Sequence, residues 1–260
     1  ERANLRKVLP PQVRLLAEKI ETEDEFRQAV EDGYVLFQGY FFCKPVVLHQ
    51  KRLTNNELSR IRLLKEVNRP NFDFNAITDV IAADTNLVHK LLTYINSVGI
   101  GLTNHVSNLR QAAVLLGSSG IRSWVTLISL QTFSEDKPSE LFTLSLLRAK
   151  FCELIARRLN RRDLTPDTGF LLGMFSLIDV LLNQPMAEVL KEITLADELN
   201  AALLGEDNDL RRLLDLVISY EQGDWSSVAA CCEHEHIPLG EISPIYDEVL
   251  EWYNKLQSVC

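Results

Sequence analysis

Helix-starting residues follow one another closely from Thr54 onward and leave little room for strands, which limits the possible folds more than any other feature. Thr54 and Glu57 have the spacing of a helix capping box, and Asp73 and Asp84 each precede an apolar stretch with helical periodicity. Pro70 interrupts the first of these helices. Further helices are predicted at 107–117, 119–132, 139–159, 166–182, 195–204, 209–221, 225–235 and 244–256. Roughly ten helices with short polar connections predict a compact helical bundle.

The N-terminal segment has a different pattern, because short β-type runs flank a single helix. Residues 13–16 and 35–37 are apolar runs that follow proline or glycine. Between them Thr22 and Glu25 have the capping-box spacing, and Gly33 is placed to end the helix. The segment therefore predicts the order strand, helix, strand.

A change of composition near residues 48–53 divides the chain into a predicted N-terminal part, 1–52, and a helical domain, 53–260. Hydrophobic residues make up 46% of the chain and charged residues 24%, which are ordinary values for a folded globular protein. The 27 basic and 36 acidic side chains leave a formal charge of −9, which disfavours binding to phosphate backbones. Nucleic acid is therefore not an expected partner.

The cysteines and the apolar runs indicate a cytoplasmic protein. The five cysteines are odd in number and include no C-x-x-C pair, so a disulfide framework is not expected. No secretion signal is recognised, and the longest apolar run, 170–182, is too short to cross a bilayer and contains Asp179. No membrane partner is expected. Because the sequence begins at Glu1 and not at Met, we expect a fragment of a longer protein or a clipped product.

Two motifs in the N-terminal part stand in a specific order. Residues 16–22 read LAEKIET and residues 38–45 read QGYFFCKP. They resemble the A-E-G-V-E-T motif and the closing Q-G-Y-x-F-x-K-P segment of EAL-type cyclic di-GMP phosphodiesterases. The resemblance implies that residues 1–52 are the C-terminal portion of an EAL-like domain, in which Glu18 and Gln38 match active-site residues of the family.

The same resemblance implies that this portion is an inactive remnant. Metal-assisted phosphodiester hydrolysis needs several carboxylates to hold divalent cations. The E-A-L glutamate and the other metal-binding and catalytic residues of the family lie upstream of Glu1, and Lys19 replaces the usual glycine. We therefore expect Glu18 and Gln38 to have no catalytic role here, and Glu18 and Glu21 to be solvated residues at a helix start.

A second set of motifs runs through the helical part. They are Asp84, Asn96-Ser97, 109–112, 116–117, 149–158, 170–179 and 220–225. Together they resemble the HDOD domain, an output relative of the HD phosphohydrolases, and the last motif is typical of proteins that join an EAL domain to an HDOD domain. The resemblance implies a mainly all-α protein, with a helical HDOD bundle and a small N-terminal α/β remnant.

The position of the His-Asp pair that gives HD hydrolases their name reads Ser176-Leu177 in this chain. An HD enzyme builds its metal site from histidines and aspartates on several helices. Leucine has no lone pair to offer and serine is a poor ligand. Asp179 is two residues farther along a helix and would point elsewhere. We therefore expect neither a metal site nor any other cofactor at this vestigial position.

A second metal candidate is the cluster of Cys231, Cys232, His234 and His236. Helical spacing could place a cysteine and a histidine on one face, but no second ligand pair lies at the usual separation. A structural role is the simpler interpretation. The other histidines, His49, His89 and His105, have no evident carboxylate partner in the sequence, and we expect surface or hydrogen-bonded side chains.

Two further groups have both a structural and a functional interpretation. Arg157-Arg158 and Arg161-Arg162 form a dense basic patch that could bind an anion, although a solvated helix C-terminus explains it more simply. Trp225, Trp252 and Tyr253 could pack in the core or mark a protein interface.

The residues and the resemblances together favour a non-catalytic signal-transduction module that acts through contacts with other signalling proteins and is linked to cyclic di-GMP. One alternative is a fragment of a cyclic di-GMP phosphodiesterase whose EAL catalytic residues lie upstream, with cyclic di-GMP bound by the parent protein. A second alternative is a nucleotide-binding sensor that uses the vestigial HD pocket.

Overall fold

The computed structural model describes residues 10, 13–20, 22–37, 53–69, 71–97, 105–135 and 137–257. The chain divides into two compact units, Glu1–Leu48 and His49–Cys260.

The first unit is a strand, helix, strand arrangement, as the sequence predicts. Strand β1 (Leu16–Ala17) pairs in parallel with β2 (Leu36–Phe37), and helix α1 (Glu23–Glu31) connects them. Among the described residues of this unit, Ala17, Ile20 and Ala29 are buried together. The predicted strand at 13–16 is wrong in its bounds, because the Val13 amide donates to the Pro10 carbonyl oxygen in a turn at 3.0 Å.

Both predicted ends of α1 are confirmed. The Thr22 hydroxyl accepts from the Glu25 amide at 3.2 Å, and the Glu25 carboxylate accepts from the Thr22 amide at 3.1 Å. Gly33 has a φ of 86°, and the amides of Gly33 and Tyr34 donate to the carbonyls of Val30 and Ala29. This pair of bonds is the Schellman motif that ends a helix.

The second unit is helical throughout its described residues, which confirms the predicted bundle. Twelve α-helices and one short 3-10 helix lie in that part of the chain: α2 (Asn55–Val67), α3 (Phe74–Ala82), α4 (Thr85–Ser97), α5 (Leu109–Phe133), α6 (Ser139–Leu159), α7 (Pro166–Phe175), α8 (Ile178–Leu182), α9 (Met186–Glu192), α10 (Asp197–Leu203), α11 (Asp209–Gln222), α12 (Trp225–Glu235), the 3-10 helix (Leu239–Glu241) and α13 (Ile242–Gln257).

Most predicted helix starts are confirmed by their capping bonds. Thr54 and Glu57 form a capping box, with oxygen–nitrogen distances of 2.6 and 3.2 Å. Asp73 and Asp84 each accept two amide hydrogen bonds from the first turn of the helix that follows. The predicted start at Ser107 is wrong by one residue, since Asn108 is the N-cap of α5.

Two predicted helices differ from the structure. The apolar segment 166–182 is broken into α7 and α8 at Ser176-Leu177, where Leu177 has φ −125° and ψ 15°. The segment 195–204 begins only at Asp197, and the short helix α9 before it was not predicted. Gly117, in contrast, confirms the predicted break between 107–117 and 119–132, because its φ of 64° and ψ of −175°, a conformation that favours glycine, kink α5 there.

Helix α5 runs through the core of the second unit. Ile121, Trp124 and Val125 on this helix are fully buried. Of the described helices, α5 is long and apolar enough to cross a membrane by length and composition, and the bent segment α7 to α9 passes the same test only as one broken span. Half of the apolar window of α5 is buried within the protein, as in the core helix of a globular domain.

The side chain of Asn96 connects the end of α4 to the chain that leads into α5. Its amide nitrogen donates to the carbonyl oxygens of Leu92 and Val106 at 2.7 and 2.8 Å, and its oxygen accepts from the Val106 amide at 2.8 Å. This position of the HDOD-like pattern therefore has a structural role that a helix-periodicity argument does not reveal.

Helices α6 and α7 pack at unusually short distance because of two glycines on α7. A Cβ atom at Gly173 would lie 2.4 Å from the Cα of Ala149, and one at Gly169 would lie 2.7 Å from the carbonyl oxygen of Cys152. Only glycine permits this approach. The close packing places the C-terminus of α7, where the sequence predicts a vestigial HD position, against the middle of α6.

Candidate functional site

Arg148 is a charged residue on the buried face of α6. Its side chain is 2% exposed, and it lies at helical spacing from Leu141, Ser145, Cys152 and Ile155, which are all buried. Arg148 is not among the site residues predicted from the sequence. The signal was present, because an arginine in register with the apolar face of a helix is rarely buried without a partner.

The partners of Arg148 come from two other helices. Its Nε donates to both carboxylate oxygens of Glu221 on α11, at 3.1 and 3.2 Å, and its Nη2 donates to Oε2 at 2.6 Å. Its Nη1 donates to the hydroxyl oxygen of Ser176 at 3.0 Å. Three helices therefore converge on one guanidinium, through bonds of the charge-assisted kind.

Ser176 uses its hydroxyl to end α7. The hydroxyl donates to the carbonyl oxygen of Gly173 at 2.7 Å and accepts from Arg148. The next residue, Leu177, is only 5% exposed and belongs to the hydrophobic core. The break in the predicted helix thus occurs where the Ser176 hydroxyl satisfies the helix end and Leu177 turns into the core.

The residues at the vestigial HD position do not fit a divalent cation. The guanidinium of Arg148 is a fixed positive charge in contact with Ser176, and it would repel a metal ion placed there. Glu221 is the nearby carboxylate, but both of its oxygens accept from Arg148. A metal would have to displace an arginine that is almost fully buried.

Asp179 is the other acidic group near the vestigial position. Burial raises the pKa of its carboxyl above the usual value of 3.8, while two backbone hydrogen bonds and the charge of Arg148 act in the opposite direction. Because the helix breaks at Ser176-Leu177, the prediction that Asp179 continues the same helix is wrong. Its carboxylate instead faces the backbone amides at the start of α8.

An aromatic cluster lies beside the Arg148–Glu221 pair. Phe151, Tyr220 and Tyr246 contact one another with ring centroids 5.1 to 5.3 Å apart. Burial raises the pKa of the Tyr246 hydroxyl, with smaller contributions from Glu221 and Tyr220. Trp225 packs edge-on against Tyr220 but remains 61% exposed. The motif at 220–225 therefore joins a buried ion pair to a surface tryptophan.

The predicted EAL-like residues are only partly described. Glu18 is exposed and follows β1, while Gln38 lies outside the described residues, as does His49. Lys19, at the position of the family's glycine, has a φ of 56°. This left-handed conformation suits glycine better than lysine. The structure does not bring Glu18 together with further described carboxylates.

The cluster near the end of α12 has other contacts. Cys232 is buried in the core and Cys231 packs against it, whereas His234 and His236 are exposed. Nδ1 of His234 lies 2.9 Å from the Glu235 carboxylate, and His236 ends the helix with a φ of 59°. Within the described part of the chain, no three His, Cys, Asp or Glu side chains are grouped in a way that could hold a metal ion.

Three of the four arginines in the predicted basic patch form ion pairs. Arg157 pairs with Glu153 at 2.6 Å, and Arg158 with Glu241 at 2.5 Å. Arg161 lies 2.8 Å from Glu235. These contacts fit the structural interpretation of the patch.

The remaining aromatic and histidine candidates separate in space from Trp225. Trp252 is partly buried under the ammonium of Lys150, and the Tyr253 hydroxyl lies 2.8 Å from that of Thr143. His89 and His105 are exposed, as predicted.

Comparisons with known proteins give a family and two relatives. The HDOD domain family matches residues 58–207, more than half of the chain. An uncharacterised protein of Bacillus subtilis, YuxH, is 37% identical over 245 residues, which cover 93% of this chain and 59% of YuxH. A cyclic di-GMP phosphodiesterase of Vibrio cholerae, CdgJ, is 36% identical over 239 residues, which cover 92% of this chain and 55% of CdgJ. The chain thus spans less than two thirds of either relative, and no solved structure matches it.

Proposed function

Because the chain belongs to the HDOD domain family, we propose that it is a non-catalytic signalling module that transmits regulatory information through contacts with other proteins. The proposed partners are other signalling proteins of the cytoplasm. Neither a nucleic acid nor a membrane is part of this proposal.

One observation carries the proposal: at the proposed vestigial HD position the polar groups are hydrogen-bonded within the protein and the apolar side chain is buried. Ser176 caps α7 and accepts from Arg148, Leu177 is in the core, and Glu221 neutralises Arg148. Hydrolysis by an HD-type site needs open metal positions and a metal-activated water. A network in which each polar group already has a partner supports a structural function for this part of the bundle.

The link to cyclic di-GMP rests on the relatives and on the N-terminal motifs. CdgJ is a cyclic di-GMP phosphodiesterase, and the region similar to it covers 92% of this chain. We propose that residues 1–52 are the C-terminal portion of an EAL-like domain and that residues 53–260 form the HDOD domain. In this arrangement the helical module regulates, or is regulated by, cyclic di-GMP turnover.

The similarity to CdgJ also favours a second candidate function. This chain covers 55% of CdgJ, so a longer protein related to both could carry a complete EAL domain upstream. The chain would then be the C-terminal part of a cyclic di-GMP phosphodiesterase, and Glu18 and Gln38 would complete its active site.

Two measurements on the purified chain test the non-catalytic proposal. We expect no hydrolysis of cyclic di-GMP with magnesium or manganese added, and no stoichiometric transition metal by elemental analysis. Iron, manganese or zinc bound in a one-to-one ratio would overturn the proposal, and so would metal-dependent phosphodiester hydrolysis.

The intact mass of the protein from its native host separates the two candidates. A species heavier than 29.6 kDa would be assayed for cyclic di-GMP hydrolysis with and without residues 53–260. A regulatory module predicts that the deletion changes the rate constant without abolishing activity. An unchanged rate constant would contradict the regulatory function.

A further inference from the structure

A cavity of about 480 Å³ lies between α4, α5, α6 and α13, apart from the vestigial HD position. Its floor includes the buried side chains Trp124, Ile128 and Leu146. Its rim includes exposed residues such as His89 and Ser139. The volume is within the range of pockets that bind small molecules.

Trp124 forms part of the apolar floor of this cavity. The side chain is 0% exposed, and its Nε1 has no hydrogen-bond partner among the described residues. Because this nitrogen is itself shielded from solvent, Trp124 offers the cavity apolar ring surface and not a donor that a bound molecule could reach.

The polar groups of the cavity favour a negatively charged ligand. Lys90 lines the wall, and its Nζ donates to the Gln131 side-chain oxygen at 3.0 Å, which leaves further ammonium protons available. His89 is a second nitrogen donor at the rim. No Asp or Glu is among the described residues that line the cavity, although the whole chain has a formal charge of −9.

Two tyrosine side chains, Tyr94 and Tyr253, also line the cavity. Burial, with a smaller contribution from Glu153, raises the pKa of Tyr94 to about 12. The Tyr253 hydroxyl lies 2.8 Å from that of Thr143 and accepts from Gln257 at 2.7 Å. The two aromatic rings therefore add apolar surface to the lining of the cavity.

We propose that this cavity binds a small amphipathic anion, in which an aromatic or apolar body lies against Trp124, Phe142 and Leu146 and a carboxylate, sulfonate or phosphate group lies near Lys90. The apolar body takes its free energy from burial, and the anionic group accepts hydrogen bonds from Lys90.

Such a ligand would connect helices that are far apart in sequence. α4 and α5 belong to the first half of the bundle, while α13 is its last helix. A molecule that contacts all of them stabilises one relative arrangement of these helices. The cavity is thus suited to a sensory function that does not involve Ser176 or Leu177.

A matched pair of fluorescent probes tests the proposal on the whole chain. 1-Anilinonaphthalene-8-sulfonate has an aromatic body and an anionic group, and N-phenyl-1-naphthylamine has the same body without the charge. We expect the sulfonate to bind saturably with one site per chain by calorimetry, about tenfold more tightly than the amine, a difference of about 1.4 kcal/mol.

Three variants assign the binding to the cavity. Lys90→Met should lower the affinity for the sulfonate by about tenfold and change the affinity for the amine by less than about twofold. Thr93 lines the wall of the cavity, so Thr93→Trp should lower the affinity for both probes because the larger side chain fills part of the cavity. Lys150→Met is the matched control, because Lys150 pairs with Glu153 at 2.9 Å and does not line the cavity. It should change neither affinity.

Several outcomes would overturn the proposal. One is the absence of saturable sulfonate binding by the folded chain. Another is binding that Lys90→Met and Thr93→Trp both leave unchanged, because the probe would then occupy an exposed apolar surface. Circular dichroism of each variant confirms that a loss of binding does not reflect a loss of helical structure, and the selective effect of Lys90→Met on the sulfonate provides the second readout should Thr93→Trp not fold.

Discussion

Arg148 and Glu221 illustrate how a buried charge affects a helical core. The arginine is 2% exposed and the glutamate 14% exposed, so water cannot replace a lost partner of the arginine. Removing one member of such a pair costs about 3–5 kcal/mol, whereas replacing both with apolar residues is often neutral.

The first prediction follows from this asymmetry. Glu221→Met should lower the free energy of unfolding by about 3–5 kcal/mol, because Arg148 stays charged in the core. The double variant Arg148→Met/Glu221→Met should be more stable than Glu221→Met alone. Urea denaturation of the four proteins in the double-mutant cycle measures the coupling.

An exposed ion pair serves as the control for that cycle. Lys191 and Glu188 lie 2.8 Å apart with side chains 68% and 53% exposed. The matched double-mutant cycle should give a coupling of about 0.5 kcal/mol or less. Equal coupling energies at the two pairs would show that burial does not strengthen the interaction of Arg148 with Glu221.

The second prediction concerns pH and Asp179. Burial raises the pKa of this carboxyl in the folded protein above 3.8, so the folded state binds its proton more tightly than the unfolded state. The stability that Asp179 contributes is therefore greatest below pH 3.8 and is lost as pH rises through the raised folded pKa. Asp179→Asn should gain stability relative to the wild type across that window.

Chemical denaturation from about pH 3 to about pH 8 measures the difference between the two proteins. Because the other carboxylates titrate equally in both, their contribution cancels in the difference. A difference that is independent of pH would contradict the raised pKa. A difference with the opposite slope would indicate that Arg148 outweighs burial.

At the scale of elements, the contact between α6 and α7 determines the position of Ser176. The glycines at 169 and 173 allow the backbones to approach, and Ser176 follows three residues after the second. The third prediction is that Gly173→Ala lowers the free energy of unfolding by about 1–3 kcal/mol, because the new methyl group meets backbone atoms of Ala149.

Thermal and urea denaturation check this prediction against Gly240→Ala. A Cβ atom added at Gly240 would have no heavy atom within 4 Å beyond its chain neighbours, so that substitution should be close to neutral. If the two variants were equally stable, the close approach of α6 and α7 would not be a packing constraint.

The ends of the helices show which structural features can be predicted from the sequence. The capping boxes at Thr22 and Thr54 and the cap at Asp73 depend on residues three positions apart or fewer, so local patterns suffice to find them. The break at Ser176-Leu177 depends on Arg148, which is 28 residues away. A continuous apolar run gives no sign of such a contact.

Some features of the candidate sites can likewise be predicted from the sequence, whereas others depend on the folded structure. The absence of metal ligands at 176 and 177 can be read from residue chemistry alone. The partners of Arg148 and the unpaired indole of Trp124 depend on helices that meet only in the folded bundle. An arginine on the apolar face of a predicted helix can be recognised in the sequence, whereas a cavity between four helices has no local sequence pattern.

At the scale of the whole molecule, the two units differ greatly in core size. The buried hydrophobic cluster of the second unit extends from Ile61 to Leu256, whereas three buried residues form that of the first among the residues that the structure describes. A described core of this size offers little apolar burial to stabilise the first unit by itself.

The fourth prediction is that residues 49–260 fold alone. Their Tm should lie within about 4 °C of that of the full chain, equivalent to about 1 kcal/mol. A peptide of residues 1–48 should show no cooperative transition. Calorimetry and circular dichroism measure both, and loss of helical content in the longer fragment would contradict the division at residue 48.

The contact of Arg148 with Ser176 also limits what substitutions at positions 176 and 177 can achieve. A His-Asp pair placed there would set an imidazole against a guanidinium and a carboxylate into a site that is 5% exposed. The new carboxylate would find no free cation, because Arg148 and Glu221 already neutralise each other. Metal binding at these positions would therefore require simultaneous changes on α6, α11 and the α7–α8 junction, since single substitutions would leave the salt bridge in place.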